Sequence, residues 1–241
     1  MLALDTSHPK PTAASDQVAD ALALAIHQHR IAPGTKLGED ELGDIYSVSR
    51  TVIRAALQRL SHVQLVDIQL NKGAFVAKPS LAEAHEVFEA RELLEPRTAR
   101  AAAMRSTPDD IKRLEHHIHE EHSAMKAGDN GRALYLSGLF HTEIARMAQQ
   151  ATVAGFIETL IARSSLIIAI YWRRESALCE SHAHHALVQA IANSDGDTAE
   201  DLMRSHLVDL HSALDLREQS SAKKSLRDAL TSPDTNAFAP R

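Results

Sequence analysis

Residues 38–76 constrain the fold of this chain more than any other stretch. A short charged segment, Glu39 to Tyr46, leads into Ser47-Val48-Ser49-Arg50-Thr51-Val52-Ile53-Arg54-Ala55-Ala56-Leu57. Two apolar-alternating segments then flank an Asn71-Lys72-Gly73 turn. Helix, turn, basic helix and β-hairpin in that order predict a winged helix-turn-helix, which lays one helix in the DNA major groove. Ser49 is placed to cap the basic helix, on which Ile53, Ala56, Leu57 and Leu60 face inward. Arg50, Arg54 and Gln58, spaced by four, share the opposite face. Val66, Ile68 and Leu70 alternate with Asp67 and Gln69 as a half-buried strand. Gly73 supplies the turn, and Ala74 to Ala77 returns. Upstream, a first helix is expected from an N-cap at Ser15 to about His29, burying Val18, Leu22, Ala25 and Ile26. The second helix, Glu39 to Tyr46, is expected to bury Leu42 and Ile45.

The net charge of −6 looks wrong for a DNA binder until the chain is divided. Residues 1–79 carry eight Lys/Arg against eight Asp/Glu, so the whole excess of acid lies beyond them. Arg50, Arg54 and Arg59 fall in a stretch, Ile45 to Val66, without a carboxylate, and phosphates respond to charge within a Debye length of about 10 Å. The single cysteine, Cys179, excludes an internal disulfide and reads as a packed helical thiol in a reducing cytoplasm. Asp5, Pro9 and Pro11 break the apolar start of the chain. The strongest apolar run, Ser164 to Trp172, is well short of the ~20 residues a membrane span needs. A cytoplasmic protein without membrane contact is the expectation.

Beyond Lys78-Pro79-Ser80, which reads as a hinge, no further strand is expected. Helical patterns cover roughly 82–105, 108–127, 130–149, 153–175, 181–193 and 197–218. Thr107-Pro108-Asp109-Asp110 is a strong helix start, Pro96 is expected to kink its helix, and Gly128-Asp129 and Ser194-Asp195-Gly196 are breaks. The expected organisation is a disordered arm (1–14), a winged helix-turn-helix of three helices and a small β-wing (15–79), an all-α antiparallel bundle (80–218) and a polar tail (219–241). The fold class is mainly α.

On these residues the chain resembles the GntR family of bacterial transcription regulators, in its FadR-like branch with a C-terminal FCD ligand-binding domain. The first part is carried by Ala32-Pro33-Gly34, Leu37, Glu41-Leu42, Val48-Ser49-Arg50-Thr51, Arg54, Ala56-Leu57, Leu60 and Gly73. The second is matched more loosely, by Arg91, Leu94-Glu95, Phe140-His141, His184, Leu187, Ala190-Ile191, Asp197, Ala199 and His206. The resemblance implies a homodimer on a palindromic operator, with a small effector in the helical domain altering DNA binding. Its metal-using members employ three His and an Asp four residues before the first. In this chain that position is Ser137.

Arg50 and Arg54 occupy the end of the recognition helix that reaches base edges, and Arg suits bidentate contact with guanine. Thr51 is placed for a phosphate or a thymine methyl, and Lys72 and Gly73 at the wing tip for phosphate or minor groove. Asp40 stands where relatives often carry Arg, which leaves the operator sequence open. Of fifteen histidines, His116, His117, His119 and His122 read as a solvated helix face. His182 and His185 are discounted, though either replaces His184 if the register slips. His141, His184 and His206 come from three helices and suit Zn²⁺, Ni²⁺ or Mn²⁺ with positions left for a carboxylate effector. Arg91 and Ser137 complete the expected effector site. The same three imidazoles would also serve as a metal-free, hydrogen-bonded pocket. A metal-dependent enzyme using them with Glu143 is the alternative function.

Overall fold

The computed structural model describes residues 13–172 and 178–216. The N-terminal domain comprises α1 (Ala14–His27), β1 (Lys36–Leu37), α2 (Glu39–Tyr46), α3 (Arg50–His62), β2 (Val66–Gln69) and β3 (Gly73–Val76). Leu22 and Ile26 of α1, Leu42 of α2, Ile53, Leu57 and Leu60 of α3, and Val66 and Val76 of the sheet bury one another in one core. The Ser49 side chain caps α3 by accepting from the Val52 N–H, as its position predicts. The sheet order is β1-β3-β2, all antiparallel, so the wing has a third short strand that its two-residue length hid from sequence reading. Gly73 closes the hairpin at φ +100°, a conformation costly for any residue with a Cβ.

Three expectations for this domain need correction. α1 starts at Ala14 with Ala13 as its N-cap, so Ser15 lies inside the helix and caps nothing. Ile45 is 65% exposed, because α2 ends at Tyr46 and it is Tyr46 and Val48 that turn onto the core. β2 is an outer strand that meets the core only at Val66, leaving Ile68 and Leu70 exposed.

The second domain is helical: α4 (Leu81–Ala103), α5 (Pro108–Lys126), α6 (Asn130–Met147), α7 (Ala151–Tyr171), α8 (Leu178–Ala192) and α9 (Gly196–Ser212). Ser80 with Glu83 and Thr107 with Asp110 form reciprocal capping boxes that start α4 and α5. α4 runs through Pro96 as one continuous helix. It packs against α6, α7, α8 and α9, with Phe88 wholly buried, and Phe140 of α6 fills the neighbouring core. α7, at 21 residues and with a best-window mean hydropathy of 1.8, is long and apolar enough to cross a membrane, which the shorter run read from sequence missed. Here it is a packing helix, with Leu166 and Ile167 at zero exposure. The Cys179 side chain and the expected arm and tail, save residues 13 and 14, lie outside the described residues.

The two domains are joined through α7. Ala162 and Leu166 enter the N-terminal core. Arg163 donates to the Gln64 carbonyl at 2.7 Å and pairs with Glu83, while the Tyr171 hydroxyl donates to the Pro79 carbonyl at 3.0 Å.

Candidate functional site

α6, α8 and α9 bring His141, His184 and His206 together at 3%, 0% and 5% exposure. One ring nitrogen from each lies within 4.8 Å of the others. The exposed His182 and His185 do not join them, which settles the register on α8.

Two carboxylates orient these rings. His141 Nδ1 donates to Glu95 Oε2 at 2.6 Å, and His184 Nδ1 donates to Glu121 Oε2 at 3.0 Å. With the proton on Nδ1, each Nε2 keeps its lone pair for the centre of the group. His184 Nε2 is buried there without a hydrogen-bond partner. His141 Nε2 lies 3.2 Å from His206 Nε2, close to the roughly 3.3 Å edge of a tetrahedron with Zn–N bonds of about 2.0–2.1 Å. An orphaned buried nitrogen, a ligand-length edge and carboxylate-braced imidazoles fit a divalent metal. Burial lowers the pKa of His141 despite the opposing charge and hydrogen bond of Glu95, and burial together with the neighbouring His184, His141 and Arg91 takes that of His206 well below the usual range. Neutral imidazole is the form that ligates.

Glu95 is itself held by Arg91, whose Nε and Nη2 donate to it at 2.5 and 3.4 Å while Nη1 donates to Ser164 Oγ at 3.1 Å. Burial opposes ionisation of Glu95, but the Arg91 and His141 interactions outweigh it and hold the carboxyl at about 2. Arg91 is therefore engaged as the support of Glu95 and does not reach out as a free anchor.

Beside this group lies a cavity of about 440 Å³. Arg91, Ser137 and His141 reach its wall; His184 and His206 do not. α1 and the turn after it also line the cavity, through Asp20, His27 and His29. Sequence reasoning named Glu95 only as a mark of the resemblance, without a site role, and missed Glu121 and this α1 wall. Glu121 had a readable signal, because it continues the buried stripe Leu114, Ile118 at helical spacing.

On the N-terminal domain, Arg50 and Arg54 project from α3 with side chains each 64% exposed, and Thr51, Lys72 and Gly73 are exposed beside them and at the wing tip. The local excess of positive charge read from sequence is offset by the fold. Arg50 pairs with Asp40, Arg54 with Glu39 at 2.7 Å, and Arg59 with Asp16 and Asp20 at 2.9 and 3.1 Å. Carboxylates distant in sequence return through α1 and α2.

Residues 14–76 match the model of bacterial regulatory proteins of the gntR family, and residues 86–209 match the FCD domain. The chain belongs to the GntR family, with an FCD domain. It is 28% identical over 195 residues to the HTH-type transcriptional repressor RspR of Escherichia coli K12, covering 79% of this chain and 85% of that one. It is 27% identical over 215 residues to the galactonate operon transcriptional repressor of the same organism, covering 77% and 90%. The fold is shared with E. coli McbR/YncC at a TM-score of 0.75 and 19% identity, covering 84% of this chain and 97% of that one. A GntR regulator from Rhodococcus sp. RHA1 gives 0.74 and 20%, covering 83% and 97%.

This GntR protein is thus a DNA-binding transcription regulator with an effector-binding FCD domain, and the enzyme alternative falls. Glu143, the carboxylate that reading required, is turned to Arg113 at 2.7 Å and has no place among the three histidines.

Proposed function

We propose that this regulator is a cytoplasmic, homodimeric repressor that binds a palindromic operator through α3 and the wing. Its operator affinity is set by a small carboxylate held on Zn²⁺, Ni²⁺ or Mn²⁺ at His141, His184 and His206. The observation that carries the effector half is the buried histidine group with its nitrogens turned inward beside the cavity. Its charges add a further argument. The Arg91 and Glu95 charges cancel, leaving the Glu121 carboxylate against a doubly charged ion, a net of one positive charge that a monocarboxylate neutralises. The carboxylate expected at Ser137 is thus replaced in charge, though not in position, by Glu121. Dimerisation is supported by exposed apolar side chains on α4, at its C-cap and on α7, with Leu93 73%, Met104 68% and Phe156 60% exposed.

In the DNA half, Arg50 and Arg54 read bases, Thr51 contacts the backbone or a thymine methyl, and Lys72 and Gly73 serve the wing. To reach DNA, Arg54 exchanges the Glu39 carboxylate for a base edge or phosphate. Arg54→Ala is expected to cost about 1–3 kcal/mol on operator DNA and less on random DNA. Fluorescence anisotropy with both duplexes at one salt concentration checks this. Equal losses on the two would make Arg54 a phosphate contact and remove it from sequence reading.

A further inference from the structure

We infer that the effector site is shared between the two domains, so that a ligand filling the cavity touches the end of α1 as well as the FCD helices. This rests on the proposed carboxylate site and adds to it the residues that pass occupancy to the DNA-binding domain. The cavity is lined both by Arg91, Ser137 and His141 of the FCD helices and by Asp20, His27 and His29 of α1 and the turn after it.

The α1 wall is fixed by direct contacts. His29 Nε2 donates to the Ser165 carbonyl at 3.0 Å, and Ser165 Oγ donates to the His27 carbonyl at 3.4 Å. The His27 ring stacks on Tyr135 of α6, with centroids 6.1 Å apart. Gly131, in the first turn of α6, lies so close that a Cβ there would meet the Gln28 carbonyl oxygen at 2.0 Å. Backbone thus meets backbone at this seam, and only glycine allows it.

The seam leads to the recognition helix. α1 and α3 share one core through Leu22, Ile26, Ile53 and Leu57, and Arg59 of α3 is tied to Asp16 and Asp20 of α1. A shift of the α1 end is therefore a shift of α3. A ligand that contacts both walls binds the docked arrangement more tightly than the undocked one. By reciprocity, anything that opens the seam weakens that ligand. A ligand that reaches only the metal end is indifferent to the seam.

The test uses zinc-loaded full-length protein and calorimetric titration with carboxylates of increasing length: acetate, L-lactate and D-galactonate. Two variants open the seam or remove its ring, Gly131→Ala and His27→Ala. Neither touches a metal ligand, and retained zinc stoichiometry shows that the FCD domain is folded. The expected result is a tenfold or greater loss of D-galactonate affinity in both variants, with acetate affinity unchanged. D-galactonate binding that ignores both substitutions overturns the shared site and leaves the carboxylate site standing. No binding of any of the three to the wild type overturns both. Should Gly131→Ala fail to fold, the His27→Ala titration decides alone.

Discussion

Arg91→Ala is expected to destabilise the FCD domain by about 3–5 kcal/mol, the cost of stranding a buried charge. Arg91 and Glu95 have side chains each 2% exposed, and the guanidinium donates to Glu95 and Ser164 while lying over the Phe88 ring. Burial raises the Glu95 pKa, and the Arg91 and His141 interactions bring it down to about 2. Without Arg91 it rises, so the cost of the substitution should shrink as the pH is lowered and Glu95 takes up a proton. At roughly 2–4 °C per kcal/mol for a domain of this size, the loss amounts to a fall in Tm of order 10 °C, read by calorimetry of the full chain. The Arg91→Ala cost should shrink by more than ~1 kcal/mol in a Glu95→Gln background, because the stranded charge is then absent. A change under 1 kcal/mol, or strict additivity of the two substitutions, would show that Arg91 does not support Glu95.

The second large effect concerns metal affinity. His184→Ala should abolish tight binding of Zn²⁺, since it removes a buried Nε2 that has no hydrogen-bond partner among the described residues. Glu121→Gln leaves all three ligands and removes only the charge behind His184, so affinity should fall about 10–100-fold and no further. Competition with a fluorescent zinc chelator measures both. The graded order, complete loss and then partial loss, separates a ligand from the residue that orients it. Equal effects of the two substitutions would place the metal elsewhere or show that Glu121 acts through packing.

Much of this was legible in the sequence, for physical reasons that differ by element. The α3 stripe and its Ser49 cap, the capped starts of α5 and the Gly73 turn are local, and local chemistry is written in neighbouring residues. The three histidines could be chosen because they come from three helices and each stands in a stretch that resembles the family. What was missed is tertiary. The two-residue strand β1 exists only through its pairing with β3. The outward turn of Ile45, Ile68 and Leu70 depends on where the core ends, not on their own periodicity. Asp40, Glu39, Asp16 and Asp20 reach the α3 arginines from other helices, so a carboxylate-free stretch of sequence is not a carboxylate-free surface. Glu95 and Glu121 were readable as buried positions, yet the buried place of a carboxylate has meaning only once its imidazole partner is known.

The central claim is that a carboxylate acts on operator binding through a metal at His141, His184 and His206. The most direct measurement is operator affinity with and without each carboxylate of the series acetate, L-lactate and D-galactonate, for protein loaded with Zn²⁺ and for the same protein stripped by chelator. The account predicts a shift of tenfold or more, about 1.4 kcal/mol of coupling, with at least one of the three in the loaded protein and none in the stripped protein. The same shift in both preparations, or no shift in either, would contradict it.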